Sequence, residues 1–115
     1  MYTHAQLRSD PNVQELRRSA GHWLKELREK RGLSQRQLAK LVGAEYYTFV
    51  SQLETGRGRI PPDRYRQWAE GLGVEPAEFV RTLLRFYDPV TYGILFGDSE
   101  KVDSEKVNPE KVDSI

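Results

Sequence analysis

Apolar residues recur along this chain at the three- and four-residue spacing of amphipathic helices. The first such run opens at Asp10-Pro11, an N-cap followed by a residue suited to the first helical position, and continues to Arg31. Its apolar positions are Val13, Leu16, Ala20, Trp23 and Leu27. Gly21 lies inside the run and marks a position where the helix could break. The pattern predicts a long helix that leads into the centre of the chain.

The central stretch, residues 33–61, predicts two short helices joined by a glycine turn. Ser34 and Gln37 have the spacing of a capping box, so a helix is expected to start there and to end at Gly43 in a left-handed cap. Its apolar face is expected to comprise Leu38, Leu41 and Val42, with Ala39 small where the next helix crosses. A second helix is expected from near Glu45 to Gly56. Its buried positions would be Tyr46, Phe49, Val50 and Leu53. This succession predicts a helix-turn-helix.

Two more helices are expected after this motif. One begins at Pro61-Pro62-Asp63 and ends at Gly73, and its apolar side comprises Tyr65, Trp68, Ala69 and Leu72. The other begins at Glu75-Pro76 and ends at Asp88-Pro89, and its apolar positions are Phe79, Val80, Leu83, Leu84 and Tyr87. The short apolar segment 90–96 fits a strand, a helical turn or an extended arm equally well, because its periodicity does not choose among them.

Three copies of one pentapeptide form the tail, at residues 99–103, 104–108 and 109–113. A five-residue period fits neither a helix nor a strand, and each unit has only one valine to bury. Such a segment cannot offset the conformational entropy lost on folding. We therefore expect residues 99–115 to be disordered, as a repeat expansion without function or as a partner-binding tail.

Composition restricts the function further. The 115 residues contain no cysteine, which excludes disulfides and thiolate metal sites, and no apolar run long enough for a membrane span. The start of the chain lacks a secretory segment, so a cytoplasmic location is expected. Between residues 17 and 66, twelve Lys/Arg stand against five acids, a local charge of +7 that the overall +1 conceals. That charge suits a phosphate backbone.

Residues 24–79 resemble the phage repressor/Cro-like (Xre-type) family of helix-turn-helix regulators. The matching residues are Leu33-Ser34-Gln35, Leu38-Ala39, Gly43, Glu54 and Gly56, followed by Arg57, Arg59 and Pro61. Between Gly43 and Glu54 the chain is one residue longer than the commonest family pattern, with the extra residue near positions 44–46. The resemblance implies an all-α, compact five-helix lambda-repressor-like DNA-binding domain over residues 20–87. Residues 1–19 would add an N-terminal helical extension, and residues 88–98 an apolar segment for dimerisation.

The resemblance and the helical spacing together predict a DNA-contacting surface. The side of the second helix facing away from its buried positions carries Tyr47, Thr48, Ser51, Gln52 and Thr55. We expect base contacts from Tyr46, Tyr47, Thr48, Ser51 and Gln52, with one tyrosine in the core and the other in the groove. Without an arginine, this face predicts limited reading of guanine. Phosphate contacts are expected from Gln35, Arg36, Thr55, Arg57 and Arg59. The resemblance further implies a partly buried bidentate ion pair between Arg28 and Glu54.

These features predict a sequence-specific regulator that binds double-stranded DNA, a repressor that acts as a homodimer on an inverted repeat. The chain would be bacterial or phage-encoded. The expected dimer surface comprises Leu83, Leu84, Phe86, Tyr87, Tyr92, Ile94, Leu95 and Phe96, with Val13, Leu16 and Ala20 as a second apolar group. Alternatively, residues 92–96 cover the chain's own last helix. One alternative is an antitoxin-like or adaptor protein that uses the motif mainly for protein contacts. An RNA-binding regulator is a third and weaker alternative.

No motif for catalysis is present: the sequence has no glycine-rich phosphate cradle, no nucleophile elbow and no clustered His and carboxylate residues. The only histidines, His4 and His22, are isolated. We therefore expect no enzymatic activity, no metal, no cofactor and no small-molecule effector.

Overall fold

The computed structural model describes residues 11–97, and within this range the secondary structure is entirely helical. The predicted all-α fold is therefore confirmed. Six α-helices follow one another: α1 Pro11–Lys30, α2 Gln35–Leu41, α3 Tyr47–Glu54, α4 Tyr65–Leu72, α5 Pro76–Tyr87 and α6 Pro89–Tyr92. A 3-10 turn, Pro62–Arg64, precedes α4, and a π-helical turn, Gly93–Gly97, follows α6. The expectations for the first ten residues and for the tail from residue 98 lie outside the described residues.

The core lies between α1 on one side and α2 to α5 on the other. Its fully buried members are contributed by each of these five helices and by the loop after α3. The largest are Leu24, Leu38, Val42, Val50, Leu53, Ile60, Trp68, Phe79 and Leu83. Within the described residues no helix is both long enough and apolar enough to cross a membrane.

Helix α1 does not break at Gly21, contrary to the expectation of a candidate break there. The helix continues through this residue and across the expected domain boundary between residues 19 and 20. The reason for the glycine is the approach of α3. A Cβ atom built on Gly21 would lie 2.5 Å from the carbonyl oxygen of Leu53 and would also collide with that of Glu54. Gly21 therefore serves the packing of two helices.

Helix α2 begins and ends as the sequence predicts. The Ser34 hydroxyl accepts a hydrogen bond from the Gln37 amide at 3.0 Å, and the Gln37 side chain accepts one from the Ser34 amide at 2.8 Å. Gly43 follows the helix with a φ of 72°, the left-handed conformation expected of it. The prediction was wrong for Leu41, which is half exposed because only Leu38 and Val42 of the expected apolar face turn into the core.

Helix α3 begins two residues later than predicted. Tyr46 is its N-cap and has an extended backbone, with φ −126° and ψ 136°, so residues 44–46 belong to the turn. The expected burial of Tyr46 is wrong: the residue is 66% exposed. The apolar side of the helix therefore starts at Phe49.

Helix α5 buries more of the C-terminal apolar residues than the dimer hypothesis assumed. Leu83 and Tyr87 belong to the core, and Phe86 packs against Trp23 of α1 with ring centroids 6.0 Å apart. These residues are therefore not available as a dimer surface. Among the second expected group, Ala20 is fully buried as well.

The segment after α5 adopts the helical form among the three possibilities. Tyr92 and Phe96 contact each other at 5.3 Å and lie under the arginines of α5, Arg85 at 5.2 Å and Arg81 at 4.8 Å. This half of the segment covers the chain's own last long helix. The other half, Val90, Ile94 and Leu95, is 71%, 79% and 57% exposed. The alternative in which residues 92–96 cover the chain's own last helix is therefore confirmed for Tyr92 and Phe96 only.

Candidate nucleic-acid interface

One buried arginine holds the helix-turn-helix against α1. The Nε atom of Arg28 donates to Glu54 Oε2 at 2.6 Å, and Nη2 donates to Glu54 Oε1 at 3.1 Å. The two side chains are 9% and 4% exposed. The hydrogen bonds that Arg28 donates to Glu54 raise the pKa of Arg28 above its ordinary value, so the guanidinium is charged. A planar fork meeting a carboxylate in this way fixes the angle between two helices as well as their distance.

Two further groups complete this network. The third arm of the guanidinium, Nη1 of Arg28, donates to the carbonyl oxygen of Leu33 at 2.8 Å, just before α2 begins. Gln35 donates from its Nε2 to Glu54 Oε1 at 3.0 Å. One hydrogen of the Gln35 side-chain amide, which the sequence assigned to phosphate, is thus used by Glu54. Helices α1, α2 and α3 are joined through one pair of charges.

The C-terminal end of α3 also touches α1 through backbone. Besides the contact at Gly21, a Cβ on Gly56 would lie 2.9 Å from the backbone nitrogen of Arg18. Gly56 has a φ of 82°, which allows the chain to leave α3 and run along α1. Helix α3 is thus fixed at its end by two glycine contacts and by the Arg28–Glu54 ion pair.

The outward side of α3 is polar and uncharged. Thr48, Gln52 and Thr55 are exposed, and Ser51 is half-buried. The hydroxyl of Thr55 donates back to the helix, to the carbonyl oxygen of Ser51 or of Gln52, each at 3.1 Å. A phosphate that approached Thr55 would compete with these carbonyl oxygens for the hydroxyl hydrogen. Thr48, Ser51 and Gln52 have hydrogen-bonding groups that match base edges.

Both tyrosines at the start of α3 are exposed, so the prediction that one of them lies in the core is wrong. Tyr47 is 39% exposed, and the guanidinium carbon of Arg36 lies 4.2 Å from the centre of its ring. Arg36 comes from the first turn of α2, and the stack brings it to the edge of the outward side of α3. The surface therefore includes an arginine, although α3 itself supplies none.

The loop after α3 carries the two remaining cations of the predicted site. Arg57 is exposed and has no ion-pair partner among residues 11–97. Arg59 is also exposed, but its guanidinium carbon lies 4.8 Å from the ring centre of Tyr87. The hydroxyl of Tyr87 accepts a hydrogen bond from the Ile60 amide at 3.2 Å, which fixes the loop to α5. Burial raises the pKa of Tyr87 above its ordinary value.

Sequence reasoning missed three of these relations: Gln35 with Glu54, Arg36 with Tyr47, and Arg59 with Tyr87. Gln35 and Glu54 are nineteen residues apart, and no periodicity within one helix links them. The pair of Arg36 and Tyr47 would have been suggested by a search for aromatic residues near each surface arginine in the expected three-helix arrangement. Among the described residues, no group of three His, Asp or Glu side chains is arranged to hold a metal ion.

Comparisons with known proteins agree with this geometry. The family described as "Helix-turn-helix" (HTH_3) matches residues 24–79. The crystal structure of the restriction-modification controller protein C.AhdI from Aeromonas hydrophila is 34% identical in sequence and superposes with a TM-score of 0.50. That similarity covers 56% of this chain and 96% of C.AhdI. No curated protein matches the chain.

The matched residues begin at Leu24 in α1 and end at Phe79 in α5, so they include α2, the turn, α3 and the loop that follows. They therefore contain every residue of the predicted DNA-contacting surface, from Gln35 to Arg59. The chain belongs to the Xre-type helix-turn-helix family of DNA-binding transcriptional regulators.

Proposed function

We propose that this regulator is a repressor that reads duplex DNA with the outward side of α3 and binds an inverted repeat as a homodimer. The observation that carries the proposal is the outward side itself, where polar, uncharged side chains stand between arginines from two other segments. Thr48, Ser51 and Gln52 supply donors and acceptors for base edges, with no carboxylate among them to repel phosphate. The similarity to a restriction-modification controller supports a regulatory role.

Within this proposal the residues divide into two classes. Tyr46, Tyr47, Thr48, Ser51 and Gln52 contact bases, and the exposed tyrosine rings suit the methyl group of thymine. Phosphates are bound by the flanking cations Arg36, Arg57 and Arg59. Because Arg36 is stacked on Tyr47, it also lies close enough to the groove side to donate to a guanine.

Binding to a pool of random duplexes, followed by selection, tests this division. Arg57→Ala should weaken binding to all sequences alike and lower the slope of log K against log salt by about 1. Arg66→Ala is the matched control: it removes an exposed arginine two residues before Trp68, on the opposite side of α4 from α3. Gln52→Ala should instead change the preferred sequence, at a cost of about 1–3 kcal/mol at one base pair. If both variants altered the preference equally, α3 would not be the helix in the groove.

Dimerisation is proposed through the exposed part of the C-terminal segment, Val90, Ile94 and Leu95. These three apolar side chains lie within six residues and are each more than half exposed. A single helix-turn-helix reads only a few base pairs, and twofold symmetry doubles that number. Ile94→Glu with Leu95→Glu should give a monomer in sedimentation experiments. Ala77→Glu, at an exposed position of α5, is the matched control and should leave assembly unchanged. A parent chain that sediments as a monomer at micromolar concentration while it binds an inverted repeat non-cooperatively would refute this part.

The alternative, an antitoxin-like or adaptor protein, is favoured by the same exposed residues. The two functions differ in their dependence on salt. A DNA-binding regulator should lose affinity steeply as salt increases, whereas an adaptor should bind duplex DNA weakly and with little slope.

A further inference from the structure

Four arginines from two distant parts of the chain meet beside the C-terminal end of α3. Arg17 and Arg18 belong to the N-terminal half of α1, and Arg57 and Arg59 belong to the loop after α3. We call these four residues the flanking basic patch. The guanidinium carbons of Arg17 and Arg59 lie 5.8 Å and 4.8 Å from the ring centre of Tyr87, so one aromatic ring carries both cations.

The contact at Gly56 brings the other two arginines together. Because a Cβ there would lie 2.9 Å from the backbone nitrogen of Arg18, the loop and α1 are in direct contact. Arg57 is the next residue of the loop. The patch therefore adjoins the C-terminal end of α3, where Thr55 of the outward side directly precedes Gly56.

The charges of the patch are not neutralised within the described part of the chain. None of the four arginines forms an ion pair there, and Arg18, Arg57 and Arg59 are exposed. Hydrogen bonds from Thr91 lower the pKa of Asp88, and the charge of Arg59 lowers it further. The Asp88 carboxylate accepts from Thr91, from Oγ1 at 2.7 Å and from the amide at 3.1 Å. The charges of Arg17 and Arg59, which share the ring of Tyr87, repel each other, and a polyanion that lies across them offsets that repulsion.

We infer that Arg17 and Arg18 of α1, together with the arginines of the loop, bind the phosphate backbone of duplex DNA outside the groove that α3 enters. This inference rests on the proposed function. A duplex that lies along the outward side of α3 continues past the C-terminal end of that helix, where the patch begins. The stretch of duplex that the protein contacts therefore extends further on this side than the contacts of the helix-turn-helix alone would reach.

The salt dependence of binding to a long mixed-sequence duplex measures these contacts in the full chain. Arg17→Gln with Arg18→Gln should lower the slope of log K against log salt by about 2, since each phosphate contact contributes about 0.9. The same change should not alter the sequence selected from a random pool. Lys30→Gln with Arg66→Gln is the control for overall charge, because it removes two exposed cations outside the patch and should leave the slope unchanged. Arg17→Lys with Arg18→Lys keeps the charge and should keep the slope.

Arg18→Gln alone guards against loss of folding, because Arg18 does not share the ring of Tyr87; it should lower the slope by about 1. Hydroxyl-radical footprinting on a selected duplex should show that the double glutamine variant loses protection at one edge of the footprint only. If the parent bound DNA and the double glutamine variant had the same salt slope and the same footprint as the parent, this inference would be overturned and the proposed function would stand. A parent that binds no duplex would overturn both.

Discussion

Replacing Arg28 with methionine tests whether the ion pair with Glu54 holds the helix-turn-helix in place. Methionine approximately fills the space of the arginine stem, but it leaves a carboxylate that is 4% exposed without its cation. Gln35 remains as the only side-chain donor to Glu54 among the described residues. The carbonyl oxygen of Leu33 also loses the donor that Arg28 supplied.

The expected loss follows from these contacts. Breaking a buried ion pair by removing one partner costs about 3–5 kcal/mol, because the remaining charge is buried and uncompensated. For a domain of this size that loss corresponds to a fall in melting temperature of at least about 12 °C. Arg28→Lys should cost less, since lysine keeps the charge but lacks the planar fork that binds Glu54 and Leu33 at once.

The double change, Arg28→Met with Glu54→Leu, should recover much of the stability, because neither charge is then buried. The recovery should be incomplete by about 1–2 kcal/mol. Leu33 still lacks a donor for its carbonyl oxygen and Gln35 lacks its acceptor, and each lost hydrogen bond costs about 1 kcal/mol.

Urea and thermal unfolding, monitored by circular dichroism, measure the stability of these three variants relative to the parent. Glu29→Ala is the control, since Glu29 is 58% exposed and approaches Arg28 only at 4.0 Å; it should change stability by less than about 0.5 kcal/mol. If Arg28→Met matched the parent, or if the double variant were no more stable than Arg28→Met, the buried charge would not be the source of the loss.

Three further predictions concern the scaffold. Gly21→Ala should lower the melting temperature despite the better helix propensity of alanine, because its Cβ would collide with carbonyl groups of α3. The control is Ser19→Ala, at an exposed position of the same helix, which should have little effect. A Gly21→Ala variant as stable as the parent would contradict the close approach of the two helices. Ser34→Ala should cost about 1 kcal/mol in urea unfolding by removing the capping box, and no loss would mean that α2 needs no cap. Tyr87→Phe should cost about 1–3 kcal/mol near pH 7, since the Ile60 amide loses its acceptor. Burial raises the pKa of Tyr87, so the contribution of this tyrosine to folding stability is complete below about pH 10 and falls as the pH rises further. The parent should therefore lose stability in alkali, and the phenylalanine variant should lose less.

Local signals of the sequence predicted most of the helices. The capping box at Ser34, the left-handed glycines at positions 43 and 73, and the Pro76 start of α5 each depend on residues close together in the chain. The helices themselves followed from apolar spacing, because one side of each must face a common core. The start of α3 was placed too early because Tyr46 fits the apolar spacing, whereas its extended backbone belongs to the turn.

Relations between distant residues were harder to predict. Periodicity explains why Leu83 and Tyr87 are apolar, but it does not say whether their partner is the same chain or a second copy. Similarly, the glycine at position 21 has low helix propensity, and the reason for it is visible only once α3 is seen to pack against it. The contacts of Gln35 with Glu54 and of Arg36 with Tyr47 join different helices, and no local pattern in the sequence indicates them.

The two ends of helix α3 are held in different ways. Its last turn is held by Glu54 and by the backbone contact with Gly21, whereas its N-cap, Tyr46, makes no side-chain capping bond and is largely exposed. The exposed side chains of Glu45 and Tyr46 can therefore change while the helix keeps its position, whereas Ala44 packs on the core and Tyr47 carries the stacked Arg36. Selection on new DNA sites can act on Glu45 and Tyr46 without disturbing the core. The same property makes them the natural positions for grafting altered specificity, with the last turn of the helix left untouched.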